Sequence, residues 1–140
     1  MYEIKLIPHT NIKIILPLVS LLNPGKDESV LLTRLEQMVR NNYQCLGVFD
    51  NEKLIGICGL WTLTKFYIGK HLEPDNVVID PAYRNKGVGE QIIKWIENYA
   101  RELDCDAIEL NAYLENLKGI EFWKKNGFII RGHHFQKVLK

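Results

Sequence analysis

Val77-Val78-Ile79-Asp80-Pro81-Ala82-Tyr83-Arg84-Asn85-Lys86-Gly87-Val88-Gly89 is the stretch on which the reading of this chain turns. A strand runs into a loop, and Pro81 marks its end. Beyond the loop, Val88, Ile92, Ile96, Ala100 and Leu103 step by four, four, four and three, which predicts an amphipathic helix over Gly87 to Leu103. The first turn of any helix has unpaired backbone N–H groups, and the helix dipole adds partial positive charge there. Such a terminus attracts phosphate. Gly87 and Gly89 have no side chain to hold a pyrophosphate away from those N–H groups, and Arg84 and Lys86 add charge. A glycine-containing turn with a solvated basic face would explain a lone G-x-G equally well. The loop is neither a Walker loop, which needs Gly-Lys-Ser/Thr, nor a dinucleotide loop, which needs a third glycine where Ile92 stands.

Outward from that stretch, Tyr2 to Leu6 alternates as a first strand. Ile12, Ile15, Leu16, Val19 and Leu22 recur at helical spacing up to Asn23-Pro24-Gly25, although Pro17 removes one backbone donor inside that helix. Asp27 can cap a second helix that buries Val30, Leu31, Leu35 and Met38. Gln44 to Phe49 and Leu54 to Leu63 form a hairpin across Asp50-Asn51-Glu52-Lys53, and Leu72 to Ile79 follows as a fourth strand after a turn at Gly69-Lys70. Ala107 to Leu110 reads as a short buried strand, and Asn116 to Asn126 as a helix stopped by Gly127. Phe128 to Arg131 and Phe135 to Leu139 read as closing strands. There is no repeat or linker, so residues 1–140 are expected to form a single α+β domain.

The bulk properties narrow the function. The 140 residues are 46% hydrophobic and 25% charged, and the net charge of +1 argues against a nucleic-acid partner held through many phosphates. The longest apolar-rich run, Ile12 to Leu22, is interrupted by Lys13, Pro17 and Ser20, so no membrane span is expected. Cys45, Cys58 and Cys105 form no C-x-x-C pair, so no metal is expected, and they read as buried reduced thiols of a cytoplasmic protein. His133 and His134 would face opposite sides of a strand and make no joint metal site.

The loop resembles the R/Q-x-x-G-x-G/A signature of the GNAT superfamily of N-acetyltransferases. Arg84, Gly87 and Gly89 fill its defining positions, and Val77, Pro81 and Arg84 match its V-x-x-x-P-x-x-R approach. A second element of that family, N-x-x-A-x-x-F/L-Y-x-x-x-G-F, is matched at Asn116, Phe122, Gly127 and Phe128, with Gly119 for the usual alanine and Trp123 for the usual tyrosine. The order of elements agrees over nearly the whole chain, the N-terminal third in order only.

The resemblance implies a mixed, largely antiparallel sheet of six to seven strands flanked by about four helices. It implies transfer of an acetyl group from acetyl-coenzyme A to a primary amine of a small molecule or protein. A non-catalytic acyl-coenzyme A sensing module and an acyltransferase with a longer donor stay open beside it, and so does a homodimer. Carried over residue by residue, Arg84, Asn85, Lys86, Gly87, Val88 and Gly89 hold the pyrophosphate. The backbone of Val77, Val78 and Ile79 pairs with the pantetheine arm like an added strand. Asn116 either bonds the pantetheine or caps its helix, and Trp123 packs beside the coenzyme. Lys118 is better read as solvated. Neutralising a lysine-type amine at neutral pH costs about 4–5 kcal/mol, which calls for a general base. Glu73, eleven residues before Arg84, has the family spacing for it, with Asp75 and water as alternatives. An indole is no practical proton donor, so Tyr113 or water is left to protonate the leaving thiolate.

Overall fold

The computed structural model describes Met1–Lys140. Its contacts divide the chain into two units, Met1–Glu109 and Leu110–Lys140. In the first, five strands lie in the order β1-β2-β3-β4-β5: β1 Glu3–Leu6, β2 Gln44–Asp50, β3 Lys53–Lys65, β4 Gly69–Ile79 and β5 Ala107–Ile108. The first four are antiparallel, and β5 is parallel to β4. The parallel pair needs a crossover, which is helix α3, Val88–Glu102. Asn51, at φ 55°, supplies the left-handed residue of the tight β2–β3 turn.

Pro17 turns out to be no flaw. Residues His9–Ile15 form a 3-10 turn, and helix α1 begins only at Leu16, so Pro17 sits in its first turn, where its missing N–H has no intrahelical partner to lose. Helix α2, Glu28–Arg40, follows. Ile12, Ile15, Leu16, Leu31 and Leu35 cover one face of the sheet with Tyr43, Cys45 and Ile57. The opposite face buries Leu46, Val48, Cys58, Leu60 and Leu72 under Val88, Ile92, Ile96 and Ala100 of α3. Each buried isoleucine there contributes roughly 1.5–3 kcal/mol.

Strand β4 does not alternate regularly. Ile57 pairs with Val78 and Gly59 with Asp75, so Cys58 faces two residues, Asn76 and Val77. Asn76 takes up the extra step in a left-handed conformation, φ 52°. The bulge resets the faces. His71, Glu73 and Asp75 lie on one side, and Val78 joins that side three residues on, while Val77 and Ile79 pack with the α3 cluster.

In the second unit, helix α4 spans Leu117–Lys125. Asn116 caps it, accepting a hydrogen bond from Gly119 N at 3.1 Å. Gly127 leaves it at φ 91°, and Phe128 N donates back to Trp123 O at 3.1 Å. Phe128 to Arg131 and Phe135 to Leu139 form no strands, so the sheet has five strands rather than six to seven, beside four α-helices. Their apolar composition suits a strand, but a strand also needs a ladder partner, and neither segment has one. Ile129, Ile130, Phe135, Val138 and Leu139 are exposed.

Candidate active site

The seam between β4 and β5 is two residues long, His71 with Ala107 and Leu72 with Ile108, extended by Glu109 N donating to Leu72 O at 3.0 Å. From Glu73 onward, the edge of β4 away from β3 carries no strand. Leu72 turns its carbonyl to that edge, so by alternation Pro74 does too, and its missing N–H costs no ladder bond. Asp80 N donates to Ile55 O at 2.8 Å. Alternation then directs the backbone groups of Val78 to β3 and those of Val77 and Ile79 to the open edge. Of the three residues expected to meet a pantetheine arm, Val77 therefore offers its backbone and Ile79 its N–H, the Ile79 carbonyl being taken by Arg84 Nε, and Val78 is core.

The open edge leads into the basic loop. Asp80 accepts from Ala82 N at 2.9 Å and starts a 3-10 turn, Pro81–Tyr83. The Tyr83 hydroxyl donates to Asp50 at 2.8 Å, and that bond holds it protonated, above its ordinary pKa. Lys53 and Lys86 lie 5.3 and 5.5 Å from the centre of the Tyr83 ring. Arg84 Nε donates to Ile79 O at 3.2 Å, which anchors the side chain and leaves its terminal nitrogens unengaged. Neither Arg84 nor Lys86 is paired with a carboxylate. Asn85 (φ 61°) and Gly87 (φ 78°) are left-handed, and Gly87 N-caps α3 without any side-chain bond. A Cβ added at Gly87 would meet nothing within 4 Å, so the glycine serves conformation and outward access. Val88 and Gly89 are buried in the first turn. These features fit a pyrophosphate: free N–H groups, unpaired cations and open space.

Next to the strand lies a cavity of about 220 Å³ lined by Leu16, Val19, Leu35, Tyr43, Arg34 and Asp75, among others. Asp75 is fixed there by Trp61 Nε1, which donates to Oδ2 at 3.1 Å. Glu73, on the same strand face, does not line that cavity and is partly exposed. Its Oε1 is 3.6 Å from Nε2 of His71, a fully buried imidazole, and Glu109 Oε1 is 3.9 Å from the same nitrogen. Tyr67 donates to Glu109, and that bond raises the tyrosine pKa and keeps the donor proton in place. His71, Tyr67 and Glu109 escaped the sequence reading. Their only signal was the polar alternation His71-x-Glu73-x-Asp75, while Tyr67 and Glu109 reach the strand through folding alone.

The thiols play no visible part. Burial pushes Cys45 up to about 12 and raises Cys58 further. Of the remaining candidates, Tyr113, Asn116 and Trp123 belong to the second unit. Tyr113 is exposed, and Asn116 is a helix cap. The Trp123 ring meets Phe122 at 5.3 Å and Phe128 at 5.1 Å, both edge to face.

A model of the acetyltransferase (GNAT) family matches residues 15–128. The chain is 26% identical over 125 residues to the uncharacterized N-acetyltransferase YhdJ of Bacillus subtilis (strain 168), covering 88% of each protein. Among solved structures it resembles a ribosomal-protein-alanine N-acetyltransferase from Brucella melitensis biovar Abortus 2308, with a TM-score of 0.83 at 16% identity over 100% of both chains. It also resembles glucosamine-6-phosphate N-acetyltransferase from Arabidopsis thaliana, with a TM-score of 0.75 at 17% identity over 100% of this chain and 99% of that one. At those identities the likeness is one of fold.

Proposed function

Because the chain belongs to the GNAT family of acetyltransferases, we propose that it moves an acetyl group from acetyl-coenzyme A to a primary amine. One observation carries this reading: the open edge of β4 at Val77 and Ile79 runs directly into an uncapped helix terminus flanked by the unpaired Arg84 and Lys86. A strand-like arm ending in a pyrophosphate has both of its needs met by consecutive residues. When bound, acetyl-coenzyme A supplies an acetyl thioester. Arg84, Lys86 and the N–H groups after Gly87 take the phosphates, and Val77 and Ile79 take the arm.

The acceptor's ammonium is drawn by Glu73 and Asp75, neither of which has a lysine or arginine partner. Asp75, already held by Trp61, orients the acceptor, and the cavity beside it receives the acceptor's apolar part. Glu73 breaks the ammonium N–H bond and forms an O–H bond, which leaves the nitrogen lone pair free to attack a carbonyl. Trp123 serves packing, and water protonates the thiolate. Three cysteines with no disulfide suit a reducing cytoplasm, which we propose as the location.

Titration calorimetry with acetyl-coenzyme A on the parent and on Gly87→Glu tests the site. The added bulk and charge are expected to abolish binding in a folded variant. Undiminished affinity would reject this loop as the phosphate site. Release of free thiol with a panel of amines tests the transfer itself, and binding without release on a broad panel would favour a sensing module instead.

A further inference from the structure

His71 is fully buried, yet neither ring nitrogen has a hydrogen-bond partner. Burying an unsatisfied polar group costs roughly 1–3 kcal/mol, and an apolar side chain of similar size would avoid that cost. The polar groups around it are few. Glu73 approaches from its own strand at 3.6 Å, and Glu109 from just beyond β5 at 3.9 Å, both toward Nε2. Tyr67, from the β3–β4 turn, reaches the ring only through Glu109. On β3, the cross-strand partner of His71 is Leu63, which brings no charge. The nearby Lys70 is engaged elsewhere, donating to Leu103 O at 2.7 Å.

Both carboxylates lie on the Nε2 side of the ring, beyond hydrogen-bond length but near enough to be attracted by a polar N–H edge. Because the imidazole is inaccessible, it cannot touch an acceptor and must act through its neighbours.

We propose that His71 is a positioning residue for the transfer. Its Nε2 edge faces Glu73 and Glu109 from beyond hydrogen-bond length, attracts both carboxylates and so aims that of Glu73, while Tyr67 steadies Glu109 from the far side. The inference rests on the transferase reading above for its effect on turnover, but the clamp itself is a property of the free protein. No bond is made or broken in it. The proton gathered from the amine remains on Glu73 until solvent removes it.

The experiment compares His71→Leu with His71→Gln. Leucine removes a buried unsatisfied group, so the melting temperature is expected to hold or rise, and coenzyme affinity to stay as in the parent. Turnover is expected to fall about tenfold or more at neutral pH. Glutamine keeps an N–H donor at similar reach and is expected to recover most of the turnover, with the acceptor KM little changed in both variants. A His71→Leu protein that matches the parent at every pH would overturn the proposal, and so would a His71→Gln protein as impaired as the leucine variant.

A second arm needs no activity. Nitrogen-15 NMR of the free protein at neutral pH should show the His71 ring protonated at Nε2, and Glu73→Gln and Glu109→Gln should each move its resonances. A ring protonated at Nδ1 alone, or unmoved by both substitutions, would disprove the clamp. A parent that releases no thiol with any amine counts against the transferase reading, and this arm then decides the clamp by itself.

Discussion

Glu73 and Asp75 share a strand face but not a situation, and the difference sorts their roles. Asp75 Oδ2 already accepts from the Trp61 indole at 3.1 Å, whereas Glu73 lies 3.6 Å from His71 with no hydrogen bond of its own and is partly open to solvent. Glu73→Gln is therefore expected to reduce thiol release about 100-fold at neutral pH. The deficit should narrow as pH approaches about 10, where the acceptor amine becomes neutral without help. Coenzyme affinity should not change, and a pH–rate profile parallel to that of the parent would remove Glu73 from the mechanism. Trp123 fills the family's usual tyrosine position but spends its surface on Phe122 and Phe128. Trp123→Phe keeps an aromatic ring there and should retain most turnover. Trp123→Tyr should change it only modestly, because a thiolate is a stable leaving group. A parent inert until Trp123→Tyr is made would mark the chain as a degenerate binding module.

At the scale of elements, the bulge in β4 is the feature that aims the site, and it was invisible in the sequence. Without the extra residue, strict alternation would put Val77 on the face of Glu73 and Asp75 and reverse the edge to which Val77 and Ile79 turn their backbone. Asn76 pays the conformational cost of the bulge with a φ of 52°, and asparagine tolerates that region well. Asn76→Gly should leave stability nearly unchanged, while Asn76→Val should cost about 1–2 kcal/mol in urea unfolding. Equal stability of the two would contradict a left-handed Asn76. The helices and long strands were legible, because each repeats its period: α3 over four turns, and β2 and β3 across a turn of four polar residues. The loop after β4 was legible because its glycines and cations stand at fixed offsets from a helix start. Pro17 was misread as an interruption because a 3-10 turn and a helix share nearly the same spacing of apolar residues. The C-terminal strands failed for another reason, since pattern reports what a segment could bury and not whether a neighbouring edge is there to receive it.

Over the whole first unit, buried acidic protons tie stability to alkaline pH. Burial raises Cys45 from an ordinary value of 9.0 to about 12, and Cys58 and Tyr43 move the same way, again chiefly through burial. The folded protein thus keeps protons that the unfolded chain gives up. The stability they represent is complete below about pH 9 and is lost as pH rises through the folded-state values, by about 1.4 kcal/mol per pH unit for each group. Urea unfolding in the presence of reductant should show a falling midpoint above about pH 9, and a midpoint flat to about pH 11 would refute this account. The strand order β1-β2-β3-β4-β5 has a consequence of another kind, for the order of assembly. Every residue of β1 to β4, and of the helices that wall the cavity beside Asp75, is synthesised before Asp80. The antiparallel strands from Gln44 to Ile79 meet across short turns and close few long loops, so their pairing is local and fast. The phosphate loop and α3 follow in the chain, and until α3 is made the sheet face of Leu46, Val48, Cys58, Leu60 and Leu72 has no cover. The two-residue parallel seam is the last part of the sheet to be synthesised. On this order the nascent chain receives the acceptor side and the strand edge for the arm before the loop that takes the phosphates.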